Sequence, residues 1–400
     1  MVEAAGGRGF GRAARRLAYM IALALGGLVV SRVIEGAFGV HPRQIADSAA
    51  YSTSVAALLA VGLYASVYGI SRRELRANAG VVLAAVTVGV TAKAFASGAV
   101  MMLAFGGAGY LLLGVAVAQI DPLSVAASLR DRRMSPRARS VLSAWASFDD
   151  PVTVLLVAYL AGATLPGVRG ASVLAGTGGV PGQFALNGAL VAGAGAAWYL
   201  LGLRRHGPWA SPRDSGRANA AACLVLAGLM AVAVGSGLFA GIAVCGLFFR
   251  PRIDAIVGQI VNAAFYAATF GLGMLLVTGV RIGAGVLLGV SVFGAQVLAG
   301  VIISRGMPRE DRARLALGQQ NGVTAIVLAL ALAPYFPAAV GTIAIAIGVV
   351  NILHILGNGA WDLMGSAITR PVREPSVTQK ISPRMAMPRD LRLMSDGERS

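Results

Sequence analysis

The sequence predicts an all-helical protein that crosses a membrane many times, and three observations predict it. Hydrophobic residues make up 56% of the 400 residues and charged residues only 13%, against about 25% charged in soluble proteins. Apolar runs of about 20 residues recur, the length a helix needs to cross a bilayer. The basic residues stand in small groups between those runs. Mean hydropathy is +0.73. A composition this apolar excludes a disordered chain and argues against a large soluble enzyme. The 53 glycines suit helices packed closely in lipid.

Twelve spans follow in order, at 17–34, 50–70, 77–98, 101–120, 139–161, 183–203, 218–236, 238–249, 255–279, 283–304, 313–333 and 338–358. The first apolar run, Leu17–Val30, comes after Arg8, Arg12, Arg15 and Arg16, a layout shared with signal peptides. Ser31-Arg32-Val33-Ile34-Glu35 follows in place of a small-x-small cleavage pattern, so the run is read as a retained span. The second span stops before Arg72, Arg73 and Arg76. The third and fourth join through a Gly-rich stretch around 95–105. The fifth starts after the basic loop Arg130–Arg139, and Gly176–Gly182 is a turn-rich loop before the sixth. Arg204 and Arg205 close the sixth, and a soft boundary at 235–240 joins the seventh to the eighth. Arg250 and Arg252 precede the ninth, and Arg305–Arg314 lies between the tenth and eleventh. Residues 365–400 form a polar, Arg-rich tail.

The charge of +17 is a topology signal. With the N-terminus in the cytoplasm, 29 of the 34 basic residues fall in inside segments. Four, Arg32, Arg43, Arg169 and Arg281, fall outside or at an outer span end, and Lys93 alone lies within a span rather than at its end. Such asymmetry places both termini in the cytoplasm with an even number of spans. Anionic lipid is the expected partner of the basic segments. No nucleic-acid patch is formed. Cys223 and Cys245 lie in apolar stretches and give neither metal spacing nor a disulfide framework.

The acidic residues at span ends, among them Asp254, Glu310 and Asp362, read as solvated or capping groups. Three others lie where lipid should be. Asp121 ends the apolar run Tyr110–Ile120, and Asp149 and Asp150 sit in the middle of Val141–Leu160. An ionised carboxylate at mid-membrane costs a few kcal/mol, and intramembrane acids mark ion or proton sites by default. Carboxylates are hard ligands for small cations. Neighbouring carboxylates in a low dielectric repel, which favours a proton on one of them. Protonated aspartates can also serve as glue between helices. Pro122 and Pro151 each follow one of these acids. A proline in a span frees a carbonyl one turn earlier, which is tolerated where that carbonyl lines a cavity. Lys93 either snorkels or is a counter-charge for Asp149 or Asp150.

The stretch Gln119-Ile120-Asp121-Pro122-Leu123-Ser124-Val125, the basic loop after it, and Ala144-Trp145-Ala146-Ser147-Phe148-Asp149-Asp150 resemble the monovalent cation–proton antiporter superfamily. Downstream, Ser236–Leu247, Phe270–Met274 and Asn321–Leu332 resemble its later spans, in order, over about 50–360. The resemblance implies an inverted-repeat fold of about 12 helices, with the fourth and eleventh broken and crossing near the midplane. It implies a core of spans 77–161 and 283–358, scaffold helices at 17–76 and 183–279, a cytoplasmic 1–16 and a basic tail at 365–400. It also implies a homodimer in the cell membrane, here a bacterial inner membrane, and no cofactor beyond the transported Na⁺ or K⁺ and H⁺.

By motif, Asp150 resembles the essential cation- and proton-binding aspartate, Asp149 a second acid at a position that holds Asn in the exchanger branch, and Asp121 the aspartate of the unwound segment. The monovalent cation is expected at these three. Departures accompany the match. Ile120 replaces a Thr, Trp145 a Glu and Ala146 a Ser, while Ser147 lies one residue on, about 100° around the helix. Gln296 and Asn321 stand where relatives carry basic residues. Lys93, Ser147, Gln296 and Asn321 are therefore the supporting polar residues, with Lys93 as the replacement counter-charge. His354 reads as a hydrogen-bonded packing residue, and Gln259, Asn262, Gln319 and Asn351 as candidates for the bundle interior. A symporter or channel would use the same buried acids without obligatory proton counterflow, and a non-transporting scaffold or sensor would keep its function with Asp150 neutralised. No motif supports an enzyme.

Overall fold

The computed structural model describes residues 3–68, 70, 79–125, 134–165, 179–200 and 212–368. All regular structure among them is helical. The predicted basic loop at 130–133, the Gly176–Gly178 stretch, Arg204 and Arg205, and the tail beyond 368 lie outside the described residues.

The helices are α1 (Glu3–Phe38), α2 (Ala49–Tyr68), α3 (Ala79–Phe105), α4 (Ala108–Val117), α5 (Pro136–Thr164), α6 (Gly179–Leu200), α7 (Pro212–Ser236), α8 (Phe239–Phe248), α9 (Asp254–Leu275), α10 (Ile282–Ile303), α11 (Arg309–Ala316), α12 (Val323–Leu332) and α13 (Ala338–Ile368). Short helical turns occur at Pro42–Ala46 and Pro122–Val125. Eight segments are long and apolar enough to cross a membrane, and α4, α8 and α12 are shorter apolar helices.

Helical elements occupy the predicted spans in order, the eleventh as two pieces separated at 317–322, and two predicted boundaries are corrected. The break between the third and fourth spans falls at Gly106 and Gly107, whose φ values are +74° and +80°. Gly98 is no break. It is a packing site where α3 meets α4: a Cβ on Gly114 would overlap the Gly98 backbone, and one on Gly98 would meet the Leu111 carbonyl at 2.8 Å. Close packing through small residues is the expected device between membrane helices. The second correction is α13, which runs ten residues past its predicted end. Trp361 Nε1 donates to Glu310 at 2.8 Å and Asp362 pairs with Arg314, so this end stays ordered against α11.

α1 packs on α9 through reciprocal glycines, Gly27 against the Phe270 carbonyl and Gly273 against the Ala24 carbonyl. α10 lies against α13 and α3, and α2 against α8, α12 and α9. Gln259 and Asn262 are exposed on the outer side of α9, which corrects the expectation of an interior position. They sit three apart on one helical face, opposite buried Val261, Ala264, Phe265 and Ala268.

Both broken helices are present. α4 ends at Val117, residues 118–121 are non-helical, and Pro122 opens the next helical turn. Proline disfavours helix at the preceding residue, here Asp121, and is accepted at the first position of a new turn. The second interruption, 317–322, separates α11 from α12.

Candidate functional site

The two interruptions meet and are bonded to each other. The Asp121 N–H donates to the Gln320 carbonyl at 2.9 Å. Gln319 Nε2 donates to the Gln119 carbonyl at 2.7 Å, and Asn321 Nδ2 to the Val117 carbonyl at 2.7 Å. Val117 ends α4, so its carbonyl has no partner within the helix, and Asn321 caps it. An amide suits this position because it donates to a carbonyl without adding charge. Gly322 lets the Asp121 carboxyl lie on the second crossing, where a Cβ would overlap that carboxyl. Behind the crossing, His354 Nδ1 lies 2.8 Å from the Leu317 carbonyl and Asn358 Nδ2 donates to it at 3.2 Å. Asn351 Nδ2 donates to the Asn321 carbonyl at 3.4 Å.

Asp149 and Asp150 are both buried, at 0% and 2% exposure, and they face different ways. Successive helical residues point about 100° apart. Asp149 Oδ2 accepts the Ile120 N–H at 2.8 Å and is ion-paired with Lys93. Lys93 Nζ also donates to Gln296 Oε1 at 3.1 Å and lies 5.3 Å from the centre of the Trp145 ring. Gln296 Nε2 donates to the Leu315 carbonyl at 3.3 Å. Lys93 therefore does not snorkel, and its partner is Asp149. A buried pair recovers its desolvation cost only when further hydrogen bonds complete it; Ile120, Gln296 and the indole face supply part of that here, while Asp149 Oδ1 is buried with no hydrogen-bond partner.

Asp150 faces the crossing. Its Oδ2 accepts the Thr324 hydroxyl at 2.9 Å, in the first turn of α12, the positive end of that helix. Its Oδ1 is buried with no hydrogen-bond partner. Asp150, Asp121, Pro122, Val323 and Thr324 line one small, partly open cavity together with Val261 of α9 and Gly62, Ala65 and Ser66 of α2. The cavity has about 30 Å³, room for about one or two waters. The lining is mostly apolar, with the Asp150 and Asp121 carboxyls and the Ser66 and Thr324 hydroxyls as its polar groups, and such a space can accept a small cation or a proton on those oxygens.

The three predicted aspartates are thus divided, Asp121 and Asp150 on the cavity and Asp149 on the lysine. Among the described residues no three His, Cys, Asp or Glu side chains cluster as a metal centre. Ser147 is buried but hydrogen-bonds to none of the aspartates, and Pro151 removes the N–H that its carbonyl would otherwise accept. Sequence reasoning missed Thr324, Ser66 and Thr153, whose buried hydroxyl oxygen is unpartnered. A lone hydroxyl in an apolar run carries no signal of its own.

The family model described as sodium/hydrogen exchanger, transmembrane, matches residues 7–359. The chain belongs to the sodium/hydrogen exchanger family. Membership makes this exchanger-family chain a multi-pass membrane antiporter of the cation–proton class. Among solved structures, the fold is similar to that of the sodium proton antiporter MjNhaP1 from Methanocaldococcus jannaschii at pH 8. The TM-score is 0.62 at 16% identity, covering 90% of this chain and 100% of that one. An electron-microscopy map of the same archaeal antiporter gives a TM-score of 0.57 at 17% identity, over 87% and 92% of the two chains. At these identities the likeness establishes the fold, with its two broken crossing helices. No curated protein matches the sequence.

Proposed function

We propose that this chain exchanges Na⁺ or K⁺ for protons by alternating access, with cation and proton competing for Asp150 and Asp121. The observation that carries the reading is Asp150, which has one buried unpartnered oxygen and lines a cavity with Asp121 at the crossing of two broken helices. A proton on Asp150 neutralises its charge, and a bound cation offsets it. Either state lowers the cost of moving the carboxylates through the membrane, whereas the empty ionised state carries the whole cost. Occupancy by one ion excludes the other, and this couples the two fluxes.

Asp149 has a different part. Its charge is matched by Lys93, so it holds the Ile120 backbone and the ammonium in place without facing the cavity. Gln296 takes the position where relatives carry a basic residue and serves as acceptor for Lys93. The moving unit comprises 77–161 and 283–358, and the remaining helices form the scaffold and a homodimer surface. The protein resides in the cell membrane with both termini in the cytoplasm, surrounded by lipid, and needs no cofactor.

The test uses purified protein in liposomes with an inside-acid pH gradient and a pH dye. Na⁺, K⁺ and Li⁺ are added outside in turn. Cation-dependent proton efflux is expected, with none from Asp150→Asn and a reduced rate from Asp121→Asn. Normal exchange by Asp150→Asn protein would overturn the mechanism. Cation flux without proton counterflow would replace it with a symporter or channel.

A further inference from the structure

The cavity wall opposite Asp150 is made by α2. Gly62, Ala65 and Ser66 line it, and their spacing of three and four puts them on one helical face. All three are small. A Cβ on Gly62 would lie 3.8 Å from Thr324 Oγ1 and 3.9 Å from Val323 Cγ1, ordinary contact distances. Gly62 therefore differs from Gly114, Gly273 and Gly322, where neighbouring atoms leave no room for a side chain. Packing does not require a glycine at 62, and the bare position enlarges the cavity.

Asp150 lines the same cavity, and its Oδ1 is buried and unpartnered. Ser66 is buried and its hydroxyl donates to the Leu63 carbonyl at 2.9 Å. The proton is thus committed, and the oxygen lone pairs remain available as acceptors. The C-terminal half of α2 is fixed from behind. Tyr64 and Tyr68 hydroxyls donate to the Phe249 and Pro251 carbonyls at 2.8 and 2.7 Å. The Arg250 guanidinium donates to the Ile70 and Val67 carbonyls at 2.9 and 3.2 Å. The wall is thus tied to the α8–α9 connection as well as packed on α5 and α12.

We infer that α2 is the selectivity wall of the site: Ser66 supplies a neutral oxygen to the bound cation, and the bare face at Gly62 sets the size and hydration of the ion that Asp150 and Asp121 accept. The inference rests on the exchange function proposed above. Selection among hard cations follows from cavity size, ligand number and ligand rigidity. The cavity has room for about one or two waters, so a single added side chain decides whether an ion keeps a water on the α2 side. Bulk at position 62 acts first on the larger ion. Loss of the Ser66 oxygen removes one ligand from every ion.

The experiment measures apparent KM for Li⁺, Na⁺ and K⁺ in proteoliposomes. The proteins are the full chain and its Ser66→Ala, Ser66→Thr, Gly62→Ala, Gly62→Val and Asp150→Asn variants, each checked by thermal melting. Ser66→Ala is expected to raise KM for the preferred cation about fivefold, the effect of about one neutral hydrogen-bond-strength contact. Ser66→Thr, which returns the hydroxyl, brings KM back toward the parent value. Gly62→Val is expected to shift the K⁺ to Li⁺ KM ratio at least tenfold in favour of Li⁺. If the valine variant does not fold, Gly62→Ala decides, with a shift of about threefold in the same direction. Unchanged KM values and ratios in the Ser66 and Gly62 variants, with Asp150→Asn silent, would overturn the inference and leave the exchange function standing. Absence of cation-coupled proton flux in the parent protein would overturn both.

Discussion

Replacing Lys93 by methionine isolates the energetics of the buried pair. The side chains of Lys93 and Asp149 are 1% and 0% exposed. That burial puts the pair outside the class of surface ion pairs, worth about 0–1 kcal/mol. Removing one partner of a buried pair costs about 3–5 kcal/mol, because the other charge is stranded. Lys93→Met strands the Asp149 carboxylate, which keeps only the Ile120 N–H as a donor. Asp149→Asn strands the ammonium on Gln296 and Trp145. Each single variant should therefore lose about 3–5 kcal/mol. The double variant strands nothing and should lose markedly less than their sum, a coupling of up to about 3 kcal/mol in the double-mutant cycle. Thermal or denaturant unfolding in detergent measures the three variants against the parent, with Asp150→Asn as a control outside the pair. A Lys93→Met loss below about 1 kcal/mol, or a double variant equal to the sum of the singles, would refute the reasoning.

Other expectations follow from the same geometry. Thr324→Val removes the donor to Asp150; a hydrogen bond to a charged group contributes about 1.5–3 kcal/mol, so apparent cation KM should change at least tenfold in the flux assay. Gly322→Ala drives a methyl into the Asp121 carboxyl; overpacking costs about 1–3 kcal/mol, and exchange should fall to background while the protein still inserts and melts cooperatively. Asn321→Ala leaves the Val117 carbonyl uncapped, and unfolding should show a loss of about 1–3 kcal/mol, the cost of a buried unsatisfied group. Trp361→Phe removes the donor to Glu310 and should lower the melting midpoint slightly without altering the cation KM.

Much of the architecture was legible because lipid imposes a simple rule on composition. Apolar runs gave the helices in order, and Pro122 beside Asp121 marked the first interruption through covalent chemistry alone. The buried acids stood out because burial of a charge needs a reason. Glycine was ambiguous. Gly98 and the Gly106–Gly107 pair look alike in sequence, yet one is a contact surface and the other a turn, and only the opposing helix distinguishes them. Adjacency misled at Asp149 and Asp150, which read as one pair of ligands. A helix turns them apart, and which of them meets the lysine depends on α3 and α10. Asn321 looked like a lost basic residue, whereas its amide completes the end of α4. The hydroxyls of Thr324 and Ser66 were invisible for a plainer reason: nothing in an apolar helix says which face a lone oxygen takes.

The bonding between the two crossings has a consequence for how the molecule responds to its surroundings. The side chains that join them, Gln319 and Asn321, are amides, and the atoms they hold are main-chain carbonyls. The remaining link is main chain to main chain. None of these groups gains or loses a proton across the physiological range, and none carries net charge for a membrane voltage to pull. The weld is therefore indifferent to acidity, voltage and salt. Acidification or a change in potential can load, empty or bias the carboxylates beside it, but it cannot loosen the joint that carries them, so both crossings must travel together or not at all.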